Sequence, residues 1–185
     1  MTAQADISFV KEKLTELIVY FAEKGKDDNY LGATKLNKLL FLADFLAYGY
    51  LGVPITGATY IHQKLGPTPD PQQFLPALRE LIESEDLVQI EHLTISGPMK
   101  KPVAKRRPKT EIFSREELEL ADEAFETLRH MTNSEAKLWS HNFVGWRFTE
   151  GKEVIPYGTA FLWNGVPVTK EAYAWADEVA TALGY

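Results

Sequence analysis

One stretch of this chain is apolar on every side of the helix that it would form. Between Leu39 and Tyr50 the only charged residue is Asp44. A helix without a polar face is stable only where other elements pack all round it. The run is also shorter than the roughly 20 apolar residues that a membrane span needs. The sequence therefore predicts a central buried helix over about 34–50, inside a folded domain, which Gly52 and Pro54 end.

The composition fits a single domain around that helix. The chain has 185 residues, 45% of them apolar, and no cysteine. A chain of this length can bury a sizeable core without disulfides, and the absence of cysteine is typical of a reducing compartment. Residues 1–6 do not have the composition of a secretory signal. We expect one cytoplasmic domain, with its core over about 7–162 and a C-terminal helix over about 169–183.

Hydrophobic periodicity and turn signals predict a mainly α fold (α+β) with a small antiparallel sheet. Before the basic segment they indicate helices over 7–24, 34–50 and 71–84 and strands over 59–65 and 87–91. After it they indicate a returning strand over 110–113 and two helices that begin with capping boxes at Ser114 and Thr132. The order helix, strand, helix, strand, loop, strand is that of a winged-helix-like core, in which the basic loop takes the place of the wing.

The charge is unevenly distributed. The net charge is −6, yet residues 100–109 hold six basic residues and no acid, so the rest of the chain has 14 basic and 26 acidic residues. The six are Lys100, Lys101, Lys105, Arg106, Arg107 and Lys109. Such a loop suits nucleic-acid phosphates, an acidic protein partner, or simple solvation.

No pattern in the sequence predicts catalysis, a metal or a cofactor. The four histidines lack metal-ligand spacing, and there is no glycine-rich phosphate loop or nucleophile elbow. Ser140 and His141 are adjacent, but neighbouring side chains on a helix point about 100° apart. The sequence therefore favours a binding protein over an enzyme.

Two sets of charged residues depend on the fold for their interpretation. Asp44 in its apolar run is costly to bury alone, so it must be paired, at the surface or protonated, and we expect an ion pair or surface exposure. Lys35 and Lys38 begin the buried helix, and Lys64 precedes the Gly66–Pro67 turn. These lysines either bind an anion, from an acidic partner or a phosphate, or are two solvated side chains beside a turn.

Several of these residues recur in one arrangement. The chain contains Lys35-Leu36-Asn37-Lys38-Leu39-Leu40-Phe41, then Tyr60-Ile61-His62-Gln63-Lys64-Leu65-Gly66-Pro67, and later Ser140-His141, Gly145-Trp146 and Ile155-Pro156-Tyr157. In this order they resemble the Panacea domain of SocA-like antitoxins and phage-associated proteins. The resemblance covers about residues 10–162.

The resemblance implies a module that holds a cognate protein toxin inactive by direct contact. SocA-like members also deliver their toxin to an ATP-dependent protease. The candidate partner-binding residues are then Lys35, Lys38, Lys64, Gly66, Pro67, His141, Trp146 and Tyr157, although the aromatic ones also suit core packing. The alternative is a DNA-binding regulator that uses the winged-helix-like core and the basic loop.

Overall fold

The fold is a set of helices around one central helix, with two short β-hairpins. The computed structural model describes residues 7–94, 97–163 and 181. The elements are α1 (Lys11–Lys24), α2 (Ala33–Leu51), β1 (Tyr60–Ile61), β2 (Thr68–Pro69), α3 (Pro71–Glu83), β3 (Leu87–Thr94), β4 (Gly97–Ala104), α4 (Arg115–Leu128), α5 (Asn133–His141) and α6 (Val144–Arg147), with 3-10 helices at Thr110–Ile112 and Tyr157–Leu162. The predicted mainly α fold with a small antiparallel sheet is confirmed.

Helix α2 is the centre of the core, as its apolar run predicts. From Lys35 to Gly49 every residue except Asn37 is buried. The helix packs against α1, α4, α5 and the second 3-10 helix, so neighbours surround it. It ends where Gly52 adopts a left-handed conformation with φ of 76°, which favours glycine.

The predicted starts of α3, α4 and α5 are confirmed, whereas α1 begins at Lys11 and not near residue 7. Asp70 accepts a hydrogen bond from the backbone of Gln72 at the start of α3, with a proline at the first helical position. Ser114 and Thr132 form complete capping boxes at the starts of α4 and α5. Local chemistry at each N-terminus satisfies amides that the helix itself leaves free.

The strands depart from the predicted order. The described strands form two separate two-stranded sheets, β1–β2 and β3–β4, and β1 does not join the second hairpin. The strand predicted over 59–65 contains only Tyr60–Ile61. The strand that returns beside β3 is β4, in register from Leu87 opposite Ala104 to Thr94 opposite Gly97.

The prediction of a returning strand over 110–113 is wrong, since Thr110–Ile112 is a 3-10 helix. From the sequence alone, Pro98 and Pro102 disfavour a strand over the residues that form β4. A two-stranded hairpin has only edge strands, however, and an edge strand accepts proline because one of its sides needs no ladder amides.

The C-terminal helix predicted over 169–183 lies outside the described residues, apart from a helical residue at 181. None of the helices in the described part of the chain has both the length and the apolar character of a membrane span.

Candidate protein-binding site

The Gly66–Pro67 turn closes over α2 and α5. The Nζ of Lys38 donates to the carbonyl oxygen of Pro67 at 2.7 Å. Gly66 has φ of 99°, and a Cβ at this position would lie 2.3 Å from Ser140 Oγ and 2.8 Å from Lys38 Cε. Only glycine adopts this backbone without strain and leaves room for both neighbours. The motif residues of the turn, α2 and α5 therefore meet at one place.

Lys38 is buried without a carboxylate. Its side chain lies in the interior, and no Asp or Glu oxygen within the described ranges lies close enough for an ion pair. Burial lowers the pKa of Lys38 to about 7, because a low-dielectric interior disfavours the charged amine. Near neutral pH this amine exists in both protonation states.

Lys35 is buried too, but all three of its donors are used. Its Nζ lies 2.6 Å from Asp28 Oδ2 and donates to the carbonyl oxygens of Arg129 at 2.9 Å and Met131 at 2.8 Å. Burial lowers its pKa, and Asp28 opposes that effect. The expectation of solvated lysines is thus wrong for Lys35 and Lys38, since the interior encloses both, and Lys64 is exposed. The predicted partner role of the two buried lysines stays a prediction.

The ring of Trp146 lies between two imidazoles. His62 stacks on it at a centroid distance of 4.4 Å and His141 at 3.8 Å, with interplanar angles of 12° and 7°. Trp146 Nε1 donates to the Gln63 carbonyl oxygen at 3.1 Å, and His62 Nδ1 lies 3.0 Å from the Trp146 carbonyl oxygen. This stack joins α5, α6 and the segment before the Gly66–Pro67 turn into one rigid unit.

His141 is the last residue of α5, and its surroundings do not favour a positive imidazole. Burial, followed by the charges of Lys137 and Lys38, lowers the pKa of His141. These effects oppose the stabilisation that a helix C-terminus gives to a cation. Ser140 Oγ donates to the Lys137 carbonyl oxygen at 2.8 Å, so the hydroxyl proton points away from His141. The pair does not form a catalytic dyad.

Asp44 is fully buried, and hydroxyl groups rather than a cation satisfy it. It accepts from the Thr56 amide at 2.7 Å, from Thr56 Oγ1 at 2.5 Å and from Tyr60 Oη at 2.8 Å. Tyr157 Oη lies 3.3 Å away and donates to the Ala58 carbonyl oxygen at 2.6 Å. The expectation of an ion pair or exposure is therefore wrong. Burial raises the pKa of Asp44 to about 6, against the effect of these hydrogen bonds.

Tyr157 belongs to the core, one of the two roles that the sequence left open. It is buried and stacks on Phe45 at a centroid distance of 4.7 Å. The preceding Ile155 donates its amide to the Tyr60 carbonyl oxygen, which ties this loop to β1. Tyr157 therefore positions the loop from inside the protein.

The basic segment is not a free loop, which corrects the prediction for residues 100–109. Lys100 and Lys101 lie on β4, and Lys101 is buried with its Nζ 2.6 Å from the Lys26 carbonyl oxygen. Arg106 pairs with Glu16 at 2.7 Å and with Asp86 at 2.9 Å. The exposed basic side chains that remain are those of Lys100, Lys105, Arg107 and Lys109.

Large apolar side chains are exposed on the segments that carry or adjoin the Trp146 stack. Phe148 follows α6 and is 84% exposed, and Leu138 lies on α5 one turn before His141 and is 63% exposed. The amide of His62 donates to the Glu153 carbonyl oxygen, which places the next loop beside the stack. We call this surface the Trp146 face; its apolar residues are Leu65, Leu138, Phe148 and Val154.

The sequence reasoning missed these four apolar residues. The sequence feature that could have predicted their exposure is a large apolar residue in a turn or between polar residues. Phe148, between Arg147 and Thr149, is an example. That signal is weak, because single exposed apolar residues are common on protein surfaces.

The fold and site define a mainly α-helical domain with two β-hairpins and an apolar surface beside a stacked aromatic unit. A family model, the antitoxin SocA-like Panacea domain, matches residues 36–147, more than half of the chain. The chain therefore belongs to the SocA-like Panacea family. The match includes Lys38, Gly66, His141 and Trp146, whereas Lys35 and Tyr157 lie outside it. No curated protein and no solved structure matches the chain.

Proposed function

We propose that the protein is an antitoxin that neutralises a cognate protein toxin in the cytoplasm by binding it directly, without chemistry of its own. Membership of the SocA-like Panacea family, over residues 36–147, is the observation that carries this proposal. Delivery of the bound toxin to an ATP-dependent protease is a further part of it. A shorter toxin half-life in cells that contain the protein and an active protease would support that part.

The Trp146 face is the toxin-binding surface in this proposal. Binding energy concentrates in a few large side chains that become fully desolvated, among which aromatic residues are enriched. Phe148 offers most of its side chain to such a contact. The stack of Trp146 between His62 and His141 holds the surface in one conformation, which reduces the entropy that binding would cost.

Co-expression tests the proposal directly. The reading frame next to this gene is induced alone and together with the protein, and we expect growth arrest that the protein relieves. Truncating an aromatic anchor costs about 2 kcal/mol or more, which is about a 30-fold loss of affinity. The variants Phe148→Ser and Leu138→Ser should therefore weaken toxin capture in a pull-down and reduce rescue.

A matched control separates this surface from general loss of an apolar residue. Leu93 on β3 is 80% exposed and belongs to the second hairpin, which contributes no residue to the stack. Leu93→Ser should leave rescue unchanged. A neighbouring frame that does not arrest growth would contradict the antitoxin proposal. Full rescue by the Phe148 and Leu138 variants would contradict the choice of surface.

DNA binding through the basic segment is the alternative function, and four exposed basic side chains favour it. Arg106 is unsuitable for testing it, because its loss also breaks two ion pairs. The triple variant of Lys100, Lys105 and Arg107 to alanine removes only exposed charge. For a DNA-binding protein this change should weaken binding and lower the dependence of affinity on salt, by about one unit of slope for each phosphate that is no longer neutralised. Unchanged DNA affinity would exclude a role for the segment.

A further inference from the structure

Lys38 lies at the wall of a small cavity between the start of α2 and the segment that leads into the Gly66–Pro67 turn. The cavity has a volume of about 250 Å³, and its lining includes Asn37, Lys64 and Leu65. This volume is enough for a short side chain but too small for a nucleotide. Lys64 and Leu65 are exposed and stand at its rim.

The amine of Lys38 has more donors than the described residues accept. A lysine has three N–H donors, and the Nζ of Lys38 makes one hydrogen bond, to Pro67. Lys35 gives the comparison within the same helix, since its three donors meet one carboxylate and two carbonyl oxygens. Burying an ammonium group is costly unless an anion and further hydrogen bonds offset the cost. Lys38 therefore lacks the anion that Lys35 has.

A second buried polar group lies beside Lys38. The Oδ1 of Asn37 is buried and makes no hydrogen bond to any described residue. Rotation of this amide by 180° would present its Nδ2 donors in the same place. Thr34, in the first turn of α2 where the helix dipole favours negative charge, also lines the cavity. The cavity thus combines one buried cation and one amide, and a residue of the first turn of α2 lies on its wall.

We propose that this cavity binds a carboxylate of the toxin, from an Asp or Glu side chain, with Lys38 and Asn37 as its hydrogen-bond donors. The exposed Leu65 then packs on the aliphatic part of that side chain, and Lys64 attracts it. A carboxylate fits better than a phosphate, because a phosphate carries more charge and the cavity encloses only one cation. This inference rests on the proposed antitoxin function, since the toxin supplies the carboxylate.

The affinity for a carboxylate follows the charge on Lys38. Because burial lowers the pKa of Lys38 to about 7, about nine tenths of the amine is charged at pH 6 and about one tenth at pH 8. The other ionisable groups around it, Lys64 at the rim and Lys137 and His141 on α5, supply no negative charge. Affinity should therefore fall about tenfold between pH 6 and pH 8.

The first experiment uses the protein alone. Lysine labelled with ¹³C at Cε is followed by NMR during pH titrations, and the Lys38 signal is assigned from Lys38→Met. Sodium acetate at constant ionic strength should raise the pKa of Lys38 in a saturable way, whereas acetamide, its neutral analogue, should not. Absence of a saturable acetate effect would overturn the proposal. A saturable effect of inorganic phosphate, but not acetate, would also overturn it.

The second experiment separates this site from the antitoxin function. Lys38→Met keeps an unbranched side chain as far as the Cε position and removes the amine, and urea unfolding establishes that the variant is folded. It should bind the toxin at least tenfold more weakly at pH 6, and the loss of affinity from pH 6 to pH 8 should disappear. His141→Gln, the control for the nearby imidazole, should retain the pH dependence.

The two proposals fail in different ways. If the wild-type protein rescues growth and Lys38→Met binds the toxin with unchanged affinity and pH dependence, the carboxylate site is wrong and the antitoxin function stands. If acetate binds at Lys38 but the wild-type protein rescues no growth arrest, the antitoxin function fails, and with it the assignment of the carboxylate to a toxin.

Discussion

Tyr60→Phe removes one oxygen atom and tests how the protein keeps Asp44 inside its core. The hydroxyl of Tyr60 donates to Asp44 Oδ2 at 2.8 Å, and both side chains are buried. The phenylalanine ring fills the same space, so the packing against Phe41 and Phe45 should survive. The change therefore isolates one hydrogen bond to a buried carboxyl group.

The magnitude depends on the charge of Asp44. A hydrogen bond to a charged group contributes about 1.5–3 kcal/mol, and one between neutral groups about 1 kcal/mol. Because the pKa of Asp44 is about 6 in the folded protein, the carboxyl group is mostly charged at pH 8 and mostly protonated at pH 5. We expect Tyr60→Phe to lower the free energy of unfolding by about 2–3 kcal/mol at pH 8 and by about 1 kcal/mol at pH 5.

The wild-type protein has its own pH dependence with a defined sign. The pKa of Asp44 rises from 3.8 to about 6 on folding, so the folded protein binds a proton that the unfolded chain releases. This contribution to stability is complete below pH 4 and is lost as the pH rises through 6, a change of about 3 kcal/mol. Tyr60→Phe raises the folded pKa further and should enlarge this loss.

Urea unfolding at pH 5 and pH 8, followed by tryptophan fluorescence, measures both effects. Tyr20→Phe is the matched control, since the hydroxyl of Tyr20 also donates to an aspartate, Asp122, which is about half exposed. We expect the control to cost about 1 kcal/mol or less, equally at both pH values. An equal cost of Tyr60→Phe at both pH values, or a cost no larger than that of the control, would refute the reasoning.

Three other substitutions test interactions that the fold brings together, each by urea unfolding. Lys35→Met removes the cation that pairs with Asp28 and the donor to two carbonyl groups, and should cost about 3–5 kcal/mol. Gly66→Ala forces a left-handed backbone and a clash with Ser140 Oγ, and should cost about 1–3 kcal/mol or more. Arg106→Ala leaves a buried carboxylate unpaired and should cost about 2–3 kcal/mol, whereas the exposed Lys105→Ala should cost almost nothing.

The helices and their starts were predictable because their causes are local. The apolar run of α2 requires burial whatever surrounds it, and the capping boxes at Ser114 and Thr132 satisfy amides within three residues. The second hairpin was only half predictable. Residues 97–104 resemble a basic, proline-containing loop, and they form a strand because β3 lies beside them.

The site was predictable in its residues but not in its contacts. The motif pattern identified Lys38, Gly66, His141 and Trp146 as members of one region, and the structure brings them together around the Gly66–Pro67 turn. The motif pattern did not indicate that Phe148 is exposed. Exposure depends on what packs over a residue, and no local pattern records that.

The sequence by itself determined that α2 is buried and that the domain belongs with the SocA-like Panacea family, because apolar periodicity and motif order are properties of the chain alone. The tertiary structure decided how each buried charge is accommodated. Lys35 meets Asp28 and Asp44 meets hydroxyl groups, while Lys38 has no anion among the described residues. These environments are formed by segments that are as far apart in sequence as α2 and Tyr157. The free energy of a buried charge depends on such residues, which only the fold brings into contact.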